Sequence, residues 1–472
     1  MPLNVALVRV DPWDPAYAEI VPELAESWQI GHDGLTYTFK LVEAYWHDGE
    51  PVTADDVRFT LDTIRTGRGL SSNVFGARLA NVESIETEDA RTVVVRLKKP
   101  QAAFLYMLGH GWTIMIQPEH VYGDDPSLMN TARPIGAGPF RFVEHKVGES
   151  VTIERNPNYF RKELPYLDGV EFIVIPDASA RHAALLTGRI HTTRFESGTA
   201  AQEIPQQEPR IRGQTLRKDF GTNLHINVTE PPWDDVRIRT ALHLAINRDE
   251  FVQLWDPFLC VPAWGIFHPV SPFKLPKERL EKIPGFWSDY DKSLEEARKL
   301  LAEAGYPEGM DVTILNRDHE LYRKTSVIFV EMLGRIGVRA ELYTVDSATY
   351  YDRVFHQEFG LAIGDNPGVS DEPDLMFFEK FLCGANNNYA GFCSPEIDER
   401  IMAQSMESDP DKRRNMIHAL IEDLLNLHVD IMPAWIHEMH GLWDFVRDYP
   451  ETVQSNAGRL LDRVWLDKTL MK

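Results

Sequence analysis

The sequence predicts an α/β protein built from two or three domains. The chain has 472 residues, more than one hydrophobic core normally serves, and 43% of them are apolar. Residues 1–155 show mainly strand patterns with helices between them, whereas helix and strand patterns alternate along most of the second half. Alternation of this kind favours α/β packing around mixed sheets.

The charge balance excludes several classes of partner. The chain carries 49 basic and 72 acidic side chains, which gives a formal net charge of −23. Nucleic acids and anionic lipids are bound by cationic surfaces, so we expect neither as a partner. No run approaches the roughly 20 apolar residues of a membrane-spanning helix. The printed chain also lacks the basic and long apolar segments of an export signal.

The clearest local pattern lies between residues 35 and 64. Apolar side chains at every second position predict a half-buried strand, formed by Leu35, Tyr37, Phe39 and Leu41. Thr53 and Asp56 have the spacing of a capping box, which predicts that a helix begins there. The inner face of this helix is expected to hold Val57, Leu61 and Ile64.

Further elements follow from the same patterns. Strands are predicted at residues 93–97, 150–156 and 338–342, and the apolar run 169–177 predicts a strand covered on both faces. Helices are predicted at residues 178–188, 234–252, 293–304, 325–336 and 346–358. The third of these is expected to be capped by Ser293 with Glu296 and to end at Gly305.

The three cysteines are too few for a disulfide scaffold, and no cysteine and histidine cluster has the spacing of a zinc site. Cys383 and Cys393 bracket a loop short enough to be closed by a disulfide, and the alternative is two buried thiols in a reduced protein. Cys260 lies in an apolar segment and is predicted to be a buried thiol. We expect no metal and no cofactor.

Signatures of catalysis are weak. His437 to His440 resemble half of a zinc-protease motif, but that motif needs a helix to bring both imidazoles to one face, and this segment is predicted as a strand. His47 and Asp48 lie in a turn, where a structural hydrogen bond is the commoner role. No nucleophile elbow, phosphate-binding loop or dinucleotide fingerprint occurs between a strand and a helix. The sequence therefore favours binding over catalysis, with a hydrolase as the less favoured alternative.

A series of short motifs runs along the chain. They include Val21-Pro-Glu-Leu-Ala-Glu-Ser-Trp28, His47-Asp-Gly-Glu-Pro-Val-Thr-Ala-Asp-Asp-Val57, Gly136-Ala-Gly-Pro-Phe140, Pro231-Pro-Trp-Asp-Asp-Val-Arg237 and Val464-Trp-Leu-Asp-Lys468. Each motif alone is weak, but their shared order and spacing are specific. Together they resemble family 5 of the extracellular solute-binding proteins, the receptors that deliver peptides, nickel complexes or some sugars to ABC importers.

The resemblance implies a two-lobed periplasmic-binding-protein fold of type II, similar to cluster C, with an extra sheet-rich domain. It implies that residues 1–155 form this domain, that 156–235 with 436–472 form one lobe and that 236–435 form the other. Such lobes close on a ligand around a hinge. Family members begin with a signal peptide, a first strand and a loop, so the chain is expected to be truncated at its N-terminus relative to the family.

The resemblance also implies which residues bind the charged ends of a ligand. The segment Gly364-Asp365-Asn366 resembles the Gly-Asp-Asn of dipeptide receptors, in which the aspartate pairs with the ligand amine. Asp371 and Asp374 are nearby alternatives. Aspartates in such loops also commonly satisfy backbone donors. Arg317 and Arg323 lie where these receptors carry an arginine for the ligand carboxylate, and the alternative for each is a solvated side chain.

Aromatic residues are the candidates for the wall of the site. Tyr389 belongs to a segment that resembles the Asn-Tyr beside the family's binding cleft, and Trp264 and Trp435 are further candidates. Large aromatic residues are more often part of a core. In the same region, the resemblance favours a disulfide between Cys383 and Cys393.

These observations predict a receptor that binds a peptide or similar small solute and presents it to permease subunits, with the ATPase as a separate subunit. Alternative ligands are a nickel chelate, an oligosaccharide or an opine-like solute. The receptor is expected to be a monomer, located in the periplasm or outside the cell, either free or tethered to the membrane.

Overall fold

A computed structural model of the protein describes residues 2–11, 13–14, 19–68, 76–109, 114–130, 134–217, 220–366, 372–450 and 461–471. The chain forms two compact units, one of Met1–Arg217 with Glu438–Lys472 and one of Lys218–His437. The division into three domains, with bounds near residues 155, 235 and 435, stays a prediction.

The first unit begins with a series of short strands and helices. Its strands up to residue 217 are β1 (Val8–Val10), β2 (Ile20–Pro22), β3 (Ala25–Ile30), β4 (Thr36–Leu41), β5 (Val82–Asp89), β6 (Thr92–Leu97), β7 (Phe140–Lys146), β8 (Ser150–Arg155), β9 (Gly169–Ile173), β10 (Thr192–Phe195) and β11 (Ile211–Leu216). Its helices are α1 (Ala54–Thr66), α2 (Phe104–Gly109), α3 (Glu119–Tyr122), α4 (Ala178–Leu186) and α5 (Gly198–Gln207), with 3-10 turns at Gly76–Leu79 and Pro126–Asn130.

The strand and helix predicted between residues 35 and 64 are confirmed. In β4, the buried residues Tyr37, Phe39 and Leu41 alternate with more exposed neighbours. The carboxylate of Asp56 accepts a hydrogen bond from the Thr53 amide at 2.8 Å, as the capping pattern requires. The helix α1 packs against the sheet β3-β4-β6-β5, and the two elements share one hydrophobic core.

The strand predicted at residues 169–177 is shorter and less covered than expected. It is the edge strand β9 of the three-stranded sheet β7-β8-β9, it ends at Ile173, and none of its residues is fully buried. Val170 and Phe172 pack against a core, whereas Val174, beyond the end of the strand, is exposed. The prediction of a strand covered on both faces was wrong because part of this apolar run lies outside the sheet.

The second unit contains longer helices around a mixed sheet. Its strands are β12 (Thr222–Ile226), β13 (Cys260–Pro262), β14 (Met310–Arg317), β15 (Val338–Val345), β16 (Leu361–Asp365), β17 (Asp430–Ile431) and β18 (Ala434–Ile436). Its helices are α6 (Val236–Leu244), α7 (Arg248–Trp255), α8 (Lys277–Leu280), α9 (Tyr290–Glu303), α10 (Glu320–Gly334), α11 (Ser347–Phe355), α12 (Pro373–Lys380), α13 (Pro395–Ser405) and α14 (Pro410–Asn426).

The central sheet of the second unit has the strand order β15-β14-β16-β12-β17. Strand β14 is parallel to β15 and β16, whereas β12 is antiparallel to β16 and β17. Asn316 of β14 lies opposite Ile363 of β16, and Thr222 of β12 lies opposite Asp365. The carboxyl ends of β14 and β16 therefore lie at the same edge of the sheet.

Two helix predictions in this unit were wrong in their bounds. The helix expected at 234–252 is divided into α6 and α7, because the side chain of Asn247 accepts a hydrogen bond from the Glu250 amide and begins a new helix. The helix expected to begin at Ser293 begins at Tyr290, where Asp289 is the cap. The Ser293 hydroxyl donates to the Asp289 carbonyl at 2.9 Å inside the first turn, so an earlier and stronger cap determines the start.

The helix predicted at 325–336 also begins earlier than expected. In α10, the ring of His319 accepts a hydrogen bond from the Leu321 amide and caps the helix, which starts at Glu320 and ends at Gly334. Histidine is not among the usual capping residues, so the sequence pattern did not reveal this start.

The chain returns to the first unit with β19 (Glu438–Trp443), β20 (Val446–Arg447) and β21 (Trp465–Leu466). Strand β19 lies between β10 and β11 in a three-stranded sheet, which confirms the strand predicted around His440 and argues against a zinc-protease motif there. Among the described residues, every helix is too short or too polar to cross a membrane.

Candidate functional site

The segment Gly364-Asp365-Asn366 lies at the carboxyl edge of the central sheet, where open α/β sheets commonly bind ligands. Gly364 is required there by close packing. A Cβ atom at this position would lie 2.2 Å from the hydroxyl oxygen of Tyr350 and 3.2 Å from Nε2 of His225. The missing side chain therefore lets α11 and β12 approach β16 beside Asp365.

Arg317, the last residue of β14, is linked to Asp365 through a tyrosine. Its Nε donates to the Ser347 hydroxyl at 2.8 Å, and its Nη1 donates to the Tyr351 hydroxyl at 2.8 Å. The Tyr351 hydroxyl in turn donates to Oδ1 of Asp365 at 3.3 Å. The guanidinium also lies over the rings of Tyr322 and Tyr351, at 5.3 and 5.0 Å from their centres.

Several aromatic side chains surround this pair of charges, and their hydroxyl groups are neutral at ordinary pH. Burial, with the charge of Asp365 as the second cause, raises the pKa of Tyr351 to about 12. The same two causes raise the pKa of Tyr322, Tyr350 and Tyr389. The wall of the site thus offers aromatic faces and O–H donors rather than further charges.

The two charged groups have unused hydrogen-bonding capacity. In the described part of the chain, Asp365 accepts only the bond from Tyr351 and takes part in no ion pair. Within the same part, Nη2 of Arg317 makes no hydrogen bond, since its Nε and Nη1 make all of the bonds that this side chain forms. An ionised carboxylate has about four acceptor positions, so Asp365 can receive further donors.

Asp374, the nearby alternative to Asp365, has the opposite character. Its side chain is 0% exposed, and it accepts hydrogen bonds from Gln404 Nε2 at 2.7 Å, Ser405 Oγ at 2.6 Å and Arg413 Nη2 at 3.3 Å. These contacts join α12, α13 and α14. Asp374 is therefore a structural residue, and Asp371, the other alternative, lies outside the described residues.

The structure separates the two candidate arginines. Arg317 belongs to the cluster around Asp365, whereas Arg323 is 61% exposed on α10 and pairs with Asp318 at 2.5 Å. Asn366 is buried, and its side chain accepts a hydrogen bond from Lys380 at 2.5 Å. Its side chain therefore supports the segment, and its predicted binding role stays a prediction.

The three aromatic candidates lie in different surroundings. The Tyr389 ring meets the His225 ring edge-to-face at 5.2 Å and the Phe355 ring at 5.7 Å, beside Asp365. Trp264 lines a separate groove of about 980 Å³ in the second unit, whose lining does not include Asp365. Trp435 is fully buried with Ala263 and Met432. It is therefore a core residue, which was the alternative to a place in the wall of the site.

The loop that carries Tyr389 is closed by a disulfide between Cys383 and Cys393, with an S–S distance of 2.09 Å. Cys260 is a buried free thiol, as predicted, and burial raises its pKa.

Sequence reasoning missed most of the partners of Asp365. His225, Tyr350, Tyr351, Lys380 and Asp430 all contact the segment or one another, and they come from β12, α11, α12 and β17. The one available sequence signal was the pair Tyr350 and Tyr351 in the helix predicted at residues 346–358. The histidine and the aspartate lie in strands that no pattern had predicted.

The edge of the central sheet thus brings together one carboxylate, one guanidinium and several aromatic rings. Comparison with known proteins gives the class: residues 19–388 match the bacterial extracellular solute-binding proteins, family 5 Middle. The chain belongs to this family. A Brucella ovis protein, named as a peptide-binding protein of an ABC transporter, is 32% identical over 422 residues, covering 85% of this chain and 76% of that one.

Solved structures show the same fold. An ABC transporter-associated periplasmic binding protein from Helicobacter pylori, in complex with the peptide STSA, matches with a TM-score of 0.83 and 22% identity over 98% of this chain and 92% of that one. The AgaA binding protein from A. tumefaciens R10, in complex with agropinic acid, matches with a TM-score of 0.78 and 23% identity over 99% and 93%. The predicted type II periplasmic-binding fold is confirmed, and so is the predicted class, a substrate-binding protein of an ABC transporter.

Proposed function

We propose that this protein captures a short peptide or similar amine-bearing solute and delivers it unchanged to a membrane permease. The observation that carries the proposal is the unsaturated carboxylate of Asp365 beside the partly unused guanidinium of Arg317. A ligand ammonium would bind Asp365, and a ligand carboxylate would bind Nη2 of Arg317. Charge-assisted hydrogen bonds of this kind are the strong ones in recognition.

The spacing of the two charges favours a short ligand. The Tyr351 hydroxyl bridges Nη1 of Arg317 and Oδ1 of Asp365 at 2.8 and 3.3 Å, so these two atoms are at most about 6 Å apart. An extended chain advances about 3.5 Å for each residue, so two residues span about 7 Å and four span about 14 Å. A dipeptide can therefore engage both groups at once, whereas an extended longer peptide can place a charged end at only one of them.

The aromatic wall explains how such a site can tolerate different side chains. Tyr389 and Tyr351 are neutral side chains near Asp365, so they add ring surface and hydroxyl groups without a charge that would demand a particular ligand side chain. Peptide receptors gain affinity from groups that every peptide has, and side chains contribute less. The peptide named in the Helicobacter pylori complex and the name of the Brucella ovis relative support this ligand class.

The transport partners follow from the family. We propose a permease with a separate ATPase subunit, a location outside the cytoplasm and a monomeric receptor. The arrangement of Asp365, Arg317 and the tyrosines binds charges and includes no activated nucleophile beside a base, so the proposal contains no chemical step.

Calorimetry with matched probes tests the proposal. Dialanine, tetraalanine and N-acetyl-dialanine would be titrated into protein freed of co-purified ligand by partial unfolding and refolding. We expect dialanine to bind at least tenfold more tightly than the acetylated probe, because acetylation removes the ammonium that pairs with Asp365. Equal affinity for the two would overturn the proposed role of the amine, and discrete non-peptide masses in native mass spectra of untreated protein would overturn the ligand class.

A further inference from the structure

A buried cluster of charged residues adjoins the Asp365-Asn366 segment. Nδ1 of His225 lies 2.5 Å from Oδ1 of Asp430, and Nζ of Lys380 lies 2.7 Å from Oδ2 of the same carboxylate. His225 is 1% exposed and Lys380 is 7% exposed. Asp430 is thus the shared counter-ion of two cationic side chains in the interior of the second unit.

Both of these side chains also hold the segment Asp365-Asn366, whose aspartate is proposed to bind the ligand ammonium. Nε2 of His225 lies 3.0 Å from the backbone carbonyl oxygen of Asp365, and Nζ of Lys380 donates to Oδ1 of Asn366 at 2.5 Å. Each oxygen of Asp430 therefore anchors one side chain, and each anchored side chain holds one residue of the segment.

The contacts of His225 define its protonation state. A backbone carbonyl oxygen and an ionised carboxylate can only accept hydrogen bonds. Burial acts to raise the pKa of Asp430, but attraction to Lys380 and His225 outweighs it and lowers the pKa overall, so the carboxylate is ionised. Both nitrogens of the ring thus face acceptors, and both must carry a proton.

Other groups around the ring do not change this conclusion. The charged or titratable groups that face His225 are Asp430 from β17, Asp365 from β16, Lys380 from α12 through Asp430, Tyr350 from α11 beside Gly364, and the Tyr389 ring. The two tyrosines stay neutral because burial raises the pKa of each. Lys380 is the one cationic side chain named among them, and it contacts the other oxygen of the Asp430 carboxylate.

We propose that His225 in its doubly protonated form is a positioning residue, which fixes the backbone of Asp365 and so presents its carboxylate to the ligand. The inference rests on the proposed function, since it concerns the same site. If the ring lost a proton, one of its nitrogens would place a lone pair against an acceptor oxygen. Either the bond to Asp365 or the bond to Asp430 would then be lost, and the segment would be held less firmly.

A buried ionic cluster can also be merely structural, since such clusters are weak evidence of function or stability. The two roles differ in what they predict. A structural role changes the unfolding midpoint of a His225 variant and leaves the affinity of the folded protein unchanged. A positioning role changes the affinity as well, and links it to the protonation of one ring.

The test combines ring nitrogen NMR with calorimetry. Protein labelled with ¹⁵N at histidine would be compared with His225→Gln, which identifies the His225 signals by their loss, and with His356→Gln, a control at a histidine that is 67% exposed and paired with Asp352. We expect both ring nitrogens of His225 to have imidazolium shifts at pH 6 to 7. A neutral ring in this range would overturn the proposal.

The affinity for dialanine gives the second readout. At pH 6.5 the amine of dialanine is protonated. His225→Gln should then bind dialanine about tenfold more weakly than wild type, because loss of roughly one hydrogen bond leaves the backbone of Asp365 less firmly held. His356→Gln should bind as wild type does. Protonation of the probe affects wild type and variant equally, so it cancels in the ratio of their affinities. This ratio should approach one at any pH where NMR shows a neutral His225 ring.

Two further results separate the inference from the proposed function. Wild-type affinity in folded His225→Gln would overturn the positioning role while leaving the function intact. If wild-type protein does not bind dialanine at all, the proposed function fails, and the ring nitrogen signal still decides whether His225 is the cation that the inference requires.

Discussion

Asp365 and Asp374 lie nine residues apart in the sequence, and the structure gives them opposite surroundings. Asp374 is inaccessible to solvent and its carboxylate is saturated by Gln404, Ser405 and Arg413. Asp365 is partly exposed at the edge of a sheet, and within the described residues it accepts one hydrogen bond. The number of acceptor positions left unused separates the aspartate that we propose as a ligand partner from the one that holds helices together.

The largest effect is expected at Asp374. Replacing it with asparagine places an amide N–H group among three hydrogen-bond donors and removes one of the two carboxylates that pair with Arg413, the other being Glu372. We expect this change in a buried charged network to cost about 3 to 5 kcal/mol in the free energy of unfolding. Urea denaturation measures this loss. An unfolding free energy within about 1 kcal/mol of wild type would show that the contacts among α12, α13 and α14 do not depend on this charge.

Asp365→Ala should show the reverse pattern. Binding of dialanine should weaken by about 2 to 4 kcal/mol, because the ligand ammonium loses its counter-charge, while the unfolding free energy stays within about 1 kcal/mol of wild type. Asp318→Ala is the matched control, since this aspartate pairs with Arg323 on the surface. Unchanged calorimetric affinity in Asp365→Ala would remove Asp365 from the site.

The two arginines sharpen the comparison further. Arg317→Met should weaken dialanine binding by about 2 kcal/mol through loss of the carboxylate partner, and Arg323→Met should leave it unchanged. Isothermal titration of both variants with the same probe measures the difference. A larger loss in Arg323→Met than in Arg317→Met would reverse the assignment made from the contacts of Arg317 with Ser347 and Tyr351.

The smallest effect is expected at Tyr351. Tyr351→Phe keeps the ring and removes the hydroxyl that joins Arg317 to Asp365, so dialanine affinity should fall by about 1 kcal/mol. Tyr343→Phe, at a half-exposed tyrosine beside Arg353, is the control. Tighter binding in Tyr351→Phe would indicate that the hydroxyl competes with the ligand for the two charges.

Local patterns predicted much of the fold. Alternation was sufficient for β4 and β15, because more buried positions alternate with more exposed ones over most of each strand. Apolar spacing also located β6 and β8, although β6 is buried on both faces. The patterns failed where a competing contact determined the outcome. Asp289 rather than Ser293 caps α9, Asn247 divides one expected helix into two, and β9 ends before its apolar run does.

The site could be predicted only in part. Asp365 and Arg317 were found through the family resemblance, which supplied positions in the sequence but no geometry. The backbone of Asp365 is held by His225, which contacts Asp430; these two residues are 205 positions apart and meet only because β12 and β17 are neighbours in the sheet. No periodicity of either segment contains this information, and the choice between Asp365 and Asp374 likewise required their tertiary partners.

A crystal structure of the protein with dialanine bound tests the central claim most directly. We predict that the ligand ammonium lies within hydrogen-bonding distance of the Asp365 carboxylate and that the ligand carboxylate contacts Nη2 of Arg317. A dipeptide bound elsewhere, for example in the groove lined by Trp264, with Asp365 contacting only protein and water, would contradict the account.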